Sequence, residues 1–454
     1  MKERMHMIKK IKWRDHDILG NLELDFTKSD GSIYNTIVIA GENGTGKTTI
    51  LETLAAFLNL GSIEPFDYIN YVANGSEYTI INDDSGAKYG FHSRKKVGES
   101  NSIIINTNSN HNRDILENDL EDLRYYGFAY SKARSGFNTK KVVSTTTSQL
   151  DSNKYEIDSN DDFTSIKQLI VDIDAQDNSE WMELTKSGLT NTFKDFEKKS
   201  RLYRFENAFN SFFTNIKFKG IDYKNKDEKD ILFEKHNRKI SIDKMSTGEK
   251  QIVFRGAYLL KNSKGIASGI VLIDEPELSM HPQWQKKIIG YYKNLFMKDG
   301  VQSVQMIFAT HSEYVLQSVL EDKDNSIIIT LNDINGKIEA RKISSPKVLP
   351  SITLAETNYI AFGVISTDYH IQLYGYLQNK TGTTSSVKRC DDYIASQKSL
   401  YNPTIHTKIS THGNTTYQTL PTYIRNAIDH PSSANNYTYE ELKCSIELLI
   451  ELCK

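Results

Sequence analysis

The chain has 454 residues, too many for one hydrophobic core and enough for two or three domains. A composition of 38% hydrophobic, 25% charged and 10% aromatic residues excludes wholesale disorder, collagen-like repeats and a chain dominated by coiled coil. The 56 basic and 58 acidic residues leave a net charge of -2, which excludes a uniformly basic nucleic-acid coat but not a local basic groove.

In chain order, the opening MKERMHMIKK carries charges with no apolar stretch behind them and is not read as a secretory signal. Residues 1–66 alternate short strand-like runs (LELDF, YNTIVIAG) before a helical stretch, TTILETLAAFL. Residues 67–235 are polar and are expected to hold loops and helices. Within them Arg94–Lys96 reads as a solvated turn, Lys132–Asp162 as a long surface loop or partly disordered insertion, and FKDFEKKSRLYRFENAFNSFF as helix. From Ile240 tight strand–helix alternation returns in GIVLIDE, QWQKKIIGYYKNLF and VQMIFATH, and at about residue 345 it stops at the Pro/Ser linker SSPKVLPS. Residues 346–454 read as helical, with no strand pattern. The cysteines Cys390, Cys444 and Cys453 lack C-x-x-C spacing, so helix packing in a reducing cytoplasm is expected, not a disulfide framework or a zinc site. No apolar run approaches the roughly 18 residues of a membrane span, and no membrane partner is expected.

GENGTGKT at Gly41–Thr48 fits the phosphate-binding pattern G-x-x-x-x-G-K-[ST] and sits after an apolar strand and before a helix, the context that pattern needs. Its small residues Gly41, Asn43, Gly44 and Gly46, with Thr49 just beyond, let backbone N–H groups approach a phosphate chain. Lys47 would neutralise the β- and γ-phosphates of ATP, and Thr48 would ligate Mg2+. IVLIDEPE at Ile270–Glu277 supplies the acidic strand end. Asp274 emerges at its carboxyl end, where ligands of open α/β sheets collect, and would hold Mg2+ through water. Glu275 would polarise the attacking water as general base.

Two further pieces define a subclass. KMSTGEKQ at Lys244–Gln251 lies before a helix and resembles the ABC-type signature, with Ser246 and Gly248 at the positions that meet a γ-phosphate held by the opposite subunit. IFATHS places His311 where the ABC switch histidine stands, and His281 in MHP reads as packing or interface. With these motifs in order, residues 1–66 and 240–330 resemble the ABC-type ATPase head shared by SMC and RecF proteins. DEPELSMHP resembles the sub-branch that includes OLD-type ATPases and the PtuA and AriA antiphage ATPases.

The resemblance implies an α/β fold: an ABC-type P-loop ATPase head with an inserted helical lid, followed by an all-α C-terminal domain. Residues 1–66 would form the head's N-terminal lobe and 236–345 its C-terminal lobe. The lid, or a partner-binding element, would be 67–235, and the helical tail 346–454. It also implies ATP and Mg2+ as cofactors, a homodimer through the heads with scope for a higher oligomer, and a separate nuclease or toxin subunit. In GFAYSKARSGF, Lys132 or Arg134 would contact nucleotide or nucleic acid, with a solvated loop charge as the alternative.

In the tail, TYIRNAIDHP resembles the R-N-x-x-x-H motif of HEPN-family ribonucleases, giving Arg425, Asn426 and His430 as candidate residues for metal-free RNA cleavage. The imidazole would take the 2′-hydroxyl proton and Arg425 would stabilise the phosphorane charge, while a helix-end cap with an interface ion pair is the structural alternative. Thr438-Tyr-Glu-Glu441 reads as a capping box opening the last helix. His406, His412 and Asn414 read as a Thr/Ser loop without a strand pair. Two mechanisms stay open: a tail that is itself the effector on RNA such as tRNA, or a head that controls a separate nuclease. A RecF/SMC-like DNA-repair ATPase with a purely structural tail is the competing function.

Overall fold

In the computed structural model, residues 6–82, 86, 89, 91–107, 110–133, 155–157, 166–189, 192–198, 200–223, 229–261, 268–298, 300–431 and 436–454 are described. Two compact units divide the chain, Met1–Lys342 and Ile343–Lys454.

Runs that are apolar at every position become strands buried on both faces, which is the habit of parallel central strands. Thr36–Gly41, Ile270–Asp274 and Gln305–Thr310 are each buried along their whole length. They are the middle of a seven-stranded sheet in the order Lys337–Lys342, Ser326–Ile334, Thr36–Gly41, Gln305–Thr310, Ile270–Asp274, Phe128–Ser131, Tyr155–Ile157. All neighbours are parallel except the edge pair Ser326–Ile334 and Lys337–Lys342, which is closed by Asn335-Gly336 at φ 56° and 80°. Register sets Val38 beside Phe308, and Asp274 beside Ala309. Asp274 therefore ends its strand at the same edge of the sheet as the loop that follows Gly41.

Strand alternation sorts the side chains onto two faces. Ile37, Ile39, Ile307 and Leu272 share one core with Ile50, Leu54 and Phe57 of the helix Lys47–Leu58 and with Ile11, Ile69 and Tyr71 of a second sheet. Residues of the other parity face the helical side, where Phe308 meets Tyr292 of the helix Ile288–Leu295 at 5.8 Å. Gln305 ties the sheets together, its buried amide donating to Ile8 O at 2.9 Å and accepting from Ile8 N–H at 2.8 Å.

That second sheet corrects the expectation of loops and helices across 67–235. It has six antiparallel strands in the order Glu23–Asp25, Met7–Trp13, Phe66–Ala73, Ser76–Ile81, His92–Lys96, Ser102–Ile105. Asn74-Gly75, at φ 45° and 75°, turns one of its hairpins. Arg94–Lys96 is thus strand, not turn, and Arg94 is buried with its guanidinium 2.6 Å from Asp119. Strand polarity misled here because an antiparallel sheet with one wet face needs only every second residue apolar. The long helical run is real but broken: Phe193–Glu197 ends before Ser200, whose side chain accepts from Tyr203 N–H and caps Arg201–Phe212. A longer helix, Ile166–Lys186, and a three-stranded sheet of Ile216–Asp222, Asp230–Lys235 and Arg238–Ser241 complete the described part of the insertion. Most of the Lys132–Asp162 stretch, Arg134 included, lies outside the described residues.

The C-terminal unit is helical, with a core of Tyr369, Leu373, Leu377, Ile424, Ile446 and Leu449 among others. Cys390 and Cys453 are buried in it and Cys444 lies part-buried at its edge, all three as free thiols. The expected capping box is present, Thr438 accepting from Glu441 N–H while Glu441 accepts from Thr438 N–H. One feature departs from the strand-free reading: Thr407–His412 and Thr415–Thr419 form an antiparallel hairpin. Its Thr/Ser-rich strands are mostly solvated and carry no apolar alternation to betray them.

Candidate functional site

The phosphate loop is built by its glycines. Gly44 and Gly46 sit at φ 87° and 82°, a backbone region that suits residues without a Cβ. A Cβ on Gly46 would also lie 2.5 Å from Leu19 Cδ2. Gly46 is the N-cap of the helix Lys47–Leu58 and supplies no side-chain acceptor. The helix's first N–H groups therefore point into the loop as donors for an anion. Asn43 is exposed on the loop and Thr49 half-buried in the first helical turn.

Lys47 is buried, and its ammonium donates to the carbonyls of Gly41 and Glu42, both at 2.8 Å. Burial pulls it below the usual lysine range against the opposing pull of Glu275, Asp274 and Glu277. Thr48 Oγ1 donates to Asp274 Oδ2 at 3.0 Å, joining the loop to the acidic strand end. Burial pushes the Asp274 carboxyl up to about 6, with Thr48 opposing and Glu275 adding to the rise. A buried carboxyl held off its normal titration, beside a hydroxyl and an uncapped helix end, suits a divalent cation with a phosphate chain. These residues fit Mg2+ and a nucleotide.

Glu275 follows in a left-handed conformation, φ 43°, with its N–H donating to Ala309 O at 2.9 Å. That turn brings its carboxylate to 3.5 Å from His311 Nδ1. The structure thus gathers Lys47, Thr48, Asp274, Glu275 and His311 at one edge of the parallel sheet. Ser246 and Gly248 are placed otherwise. Ser246 is exposed at the start of the helix Thr247–Lys261, its N–H donating to Glu249 Oε2 at 2.8 Å. Gly248 packs against the turn after the acidic strand so closely that a Cβ would lie 2.6 Å from Ser279 O. Ser246 bonds within its own helix start and Gly248 packs on Ser279; among the described residues neither bonds to the phosphate loop of this chain. His281 caps the short helix Pro282–Gln285, its Nδ1 accepting from Gln283 N–H at 3.2 Å.

Two residues went unnoticed in the sequence. Glu277 is buried and accepts from Thr310 Oγ1 at 2.7 Å and from His311 N–H at 3.1 Å. Arg255 is buried and donates to Asp274 O at 2.8 Å and to Lys132 O at 3.0 Å, tying the helix Thr247–Lys261 to the site. A lone cation inside the run IVFRGAYLL was the available signal for Arg255, and the second acid of DEPE that for Glu277. Lys132 itself reaches Glu52 Oε1 at 3.3 Å.

In the C-terminal unit, Arg425 and His430 are not brought together as a pair. Arg425 donates to Asn426 Oδ1 at 2.9 Å and to Asp429 Oδ2 at 2.7 Å, one turn along the helix Leu420–Asp429. His430 stands at the helix C-cap, where its ring stacks on that of His412 from the hairpin, centroids 4.7 Å apart and planes at 12°. Five residues of helix put Arg425 and His430 about 140° apart, which explains the divergence.

The parallel sheet, the glycine loop opening a helix and the acidic strand end together define the class, an α/β domain of P-loop ATPases. More narrowly, residues 37–317 match the family model described as "AAA domain, putative AbiEii toxin, Type IV TA system", and the chain belongs to that family. It is 25% identical over 327 residues to the Septu protein PtuA of Bacillus thuringiensis, covering 69% of this chain and 74% of that protein. To the Septu protein PtuA of Bacillus mycoides it is 24% identical over 377 residues, 77% of this chain and 43% of the relative. The Retron Ec83 probable ATPase of Escherichia coli is 32% identical over 130 residues, 26% of this chain and 22% of that one. Among solved structures, the SMC head domain from Thermotoga maritima aligns over 74% of this chain and 99% of its own, at 15% identity and TM-score 0.36. No helix among the described residues is long and apolar enough to cross a membrane.

Proposed function

We propose that this chain is the ATP-binding and ATP-hydrolysing switch subunit of a cytoplasmic antiphage defence system, in which ATP-driven pairing of two heads controls a toxic nuclease. The observation that carries the ATPase reading is the convergence of Lys47, Thr48, Asp274, Glu275 and His311 at one sheet edge. The N-terminus of the helix Lys47–Leu58 and Lys47 bind the phosphate chain. Thr48 and Asp274 would hold Mg2+, which when bound would supply positive charge to offset that of the phosphates. Glu275 would orient and deprotonate the attacking water, and His311, 3.5 Å from it, would contact the γ-phosphate. The Septu and retron names of its relatives support the defence setting.

Ser246 is exposed and, among the described residues, bonded locally to Glu249, which supports a role in completing the phosphate site of a second copy. The test is size-exclusion chromatography with light scattering. Glu275→Gln should bind ATP, hydrolyse it about a hundredfold or more slowly, and accumulate as a dimer. A Glu275→Gln chain that stays monomeric at saturating ATP and Mg2+ rejects the scheme. A separate nuclease partner is tested by co-purification with the products of neighbouring genes.

A ribonuclease role for the tail is the second reading. It is favoured by the stacked His412 and His430, two exposed imidazoles able to serve as base and acid in 2′-hydroxyl attack on RNA. Toxicity that survives His430→Ala removes it. DNA-stimulated hydrolysis with repair defects and no defence phenotype would favour the repair ATPase instead.

A further inference from the structure

Two carboxylates flank His311, each with an oxygen 3.5 Å from its Nδ1, and their surroundings differ. The Glu275 side chain is 31% exposed, open to a reacting water, whereas the Glu277 side chain is 4% exposed. Glu277 Oε1 holds the end of the strand Gln305–Thr310 by two hydrogen bonds, from the Thr310 hydroxyl and from the His311 N–H. Its Oε2 is buried without a hydrogen-bond partner among the described residues. A buried carboxyl satisfied on one side only is an unfavourable choice for a turn whose sole task is to fold.

The remaining contacts close a ring around the histidine. Met280 N–H donates to Glu277 O at 3.0 Å, and Gln285 Nε2 donates to Met280 O at 2.9 Å. Ser312 Oγ donates to Gln285 Oε1, returning the chain of bonds to the residue after His311. The backbone carrying His311 is therefore gripped from both sides by the segment that follows the acidic strand. The same segment touches the signature helix at Ser279 and Gly248.

We infer that Glu277 is a positioning residue for hydrolysis: through Thr310 and the His311 backbone it fixes the imidazole against Glu275, so that both address one phosphate. The inference rests on the ATPase reading above.

Steady-state ATP turnover by the full chain tests it, with Glu277→Ala and Glu277→Gln each made alone and in a His311→Ala background. Glu277→Ala should lower kcat about tenfold or more with KM changed less than about twofold. Glu277→Gln, whose Oε1 can accept the same two bonds, should stay within about threefold of the parent. In the His311→Ala background the cost of Glu277→Ala should shrink below about twofold, because its effect passes through that ring. An equal loss in both backgrounds, or a loss carried by KM, overturns the inference. If Glu277→Ala fails to fold, Thr310→Val removes one donor of the grip and is judged by the same two backgrounds. A wild-type chain without ATP turnover rejects the proposed function, whereas turnover indifferent to Glu277→Ala rejects only this inference.

Discussion

Lys47 donates its ammonium to the carbonyls of Gly41 and Glu42 and is held there by burial; the proposed nucleotide would compete with those carbonyls for its charge. Lys47→Ala removes that charge and leaves Asp274, Glu275 and Glu277 facing one another without it. The expected outcome is loss of nucleotide binding by about tenfold or more, read by calorimetry with ATP and Mg2+, while the fold is retained. At this scale the sequence was legible wherever chemistry is local in the chain. Gly44, Gly46, Lys47 and Thr48 fall within five residues, and a glycine loop opening a helix was expected from their spacing and flanking elements. Asp274 and Glu275 were legible because an apolar strand delivers them to a sheet edge. Glu277 and Arg255 were not, because their roles arise from burial against Thr310, His311 and Lys132, which are distant in sequence.

Among the elements, the helices Thr367–Lys380 and Tyr439–Cys453 are joined by a buried bond between His370 Nε2 and Ser445 Oγ, 2.9 Å long. Burial lowers the His370 imidazole to about 3, so the folded chain keeps it neutral where the unfolded chain would protonate it. Between the ordinary value near 6.5 and about 3, the unfolded state binds the extra proton, and stability falls as pH falls. Moving from pH 7 to pH 5 should therefore cost this unit about 2 kcal/mol. Hydrogen exchange of the amides in these two helices, in the full chain, reads that loss. His370→Gln, which can still bond Ser445 and does not titrate, should flatten it. A pH dependence unchanged by His370→Gln would assign it to other groups. Elements buried on both faces or amphipathic on one were legible in the sequence. The N-terminal strands of the six-stranded sheet were read, but those past residue 66 were not, although Asn74-Gly75 marks a hairpin turn, because they read as polar until period two is sought. The Thr407–Thr419 hairpin lacks even that period.

Across the whole molecule, the phosphate loop and the proposed signature residues Ser246 and Gly248 are parts of one chain that, among the described residues, do not bond one another. Two copies related by a twofold axis would pair each phosphate loop with the partner's signature. That arrangement predicts complementation. Lys47→Ala destroys the loop and keeps Ser246; Ser246→Arg keeps the loop and blocks the signature with a bulky charge. Each variant alone should be inactive in ATP turnover. Mixed in equal amounts, they form heterodimers in which one composite site has an intact loop facing an intact signature, and the other has neither. If pairing is random, about half the dimers are mixed and about a quarter of all sites are restored. Recovered turnover that follows the product of the two concentrations would establish catalysis in trans. A mixture that stays inactive, from variants shown by light scattering to dimerise together with ATP, would mean that both sites must be intact at once. Full activity in Ser246→Arg alone would mean that each head works by itself, and the gating of a nuclease by head pairing would lose its physical basis.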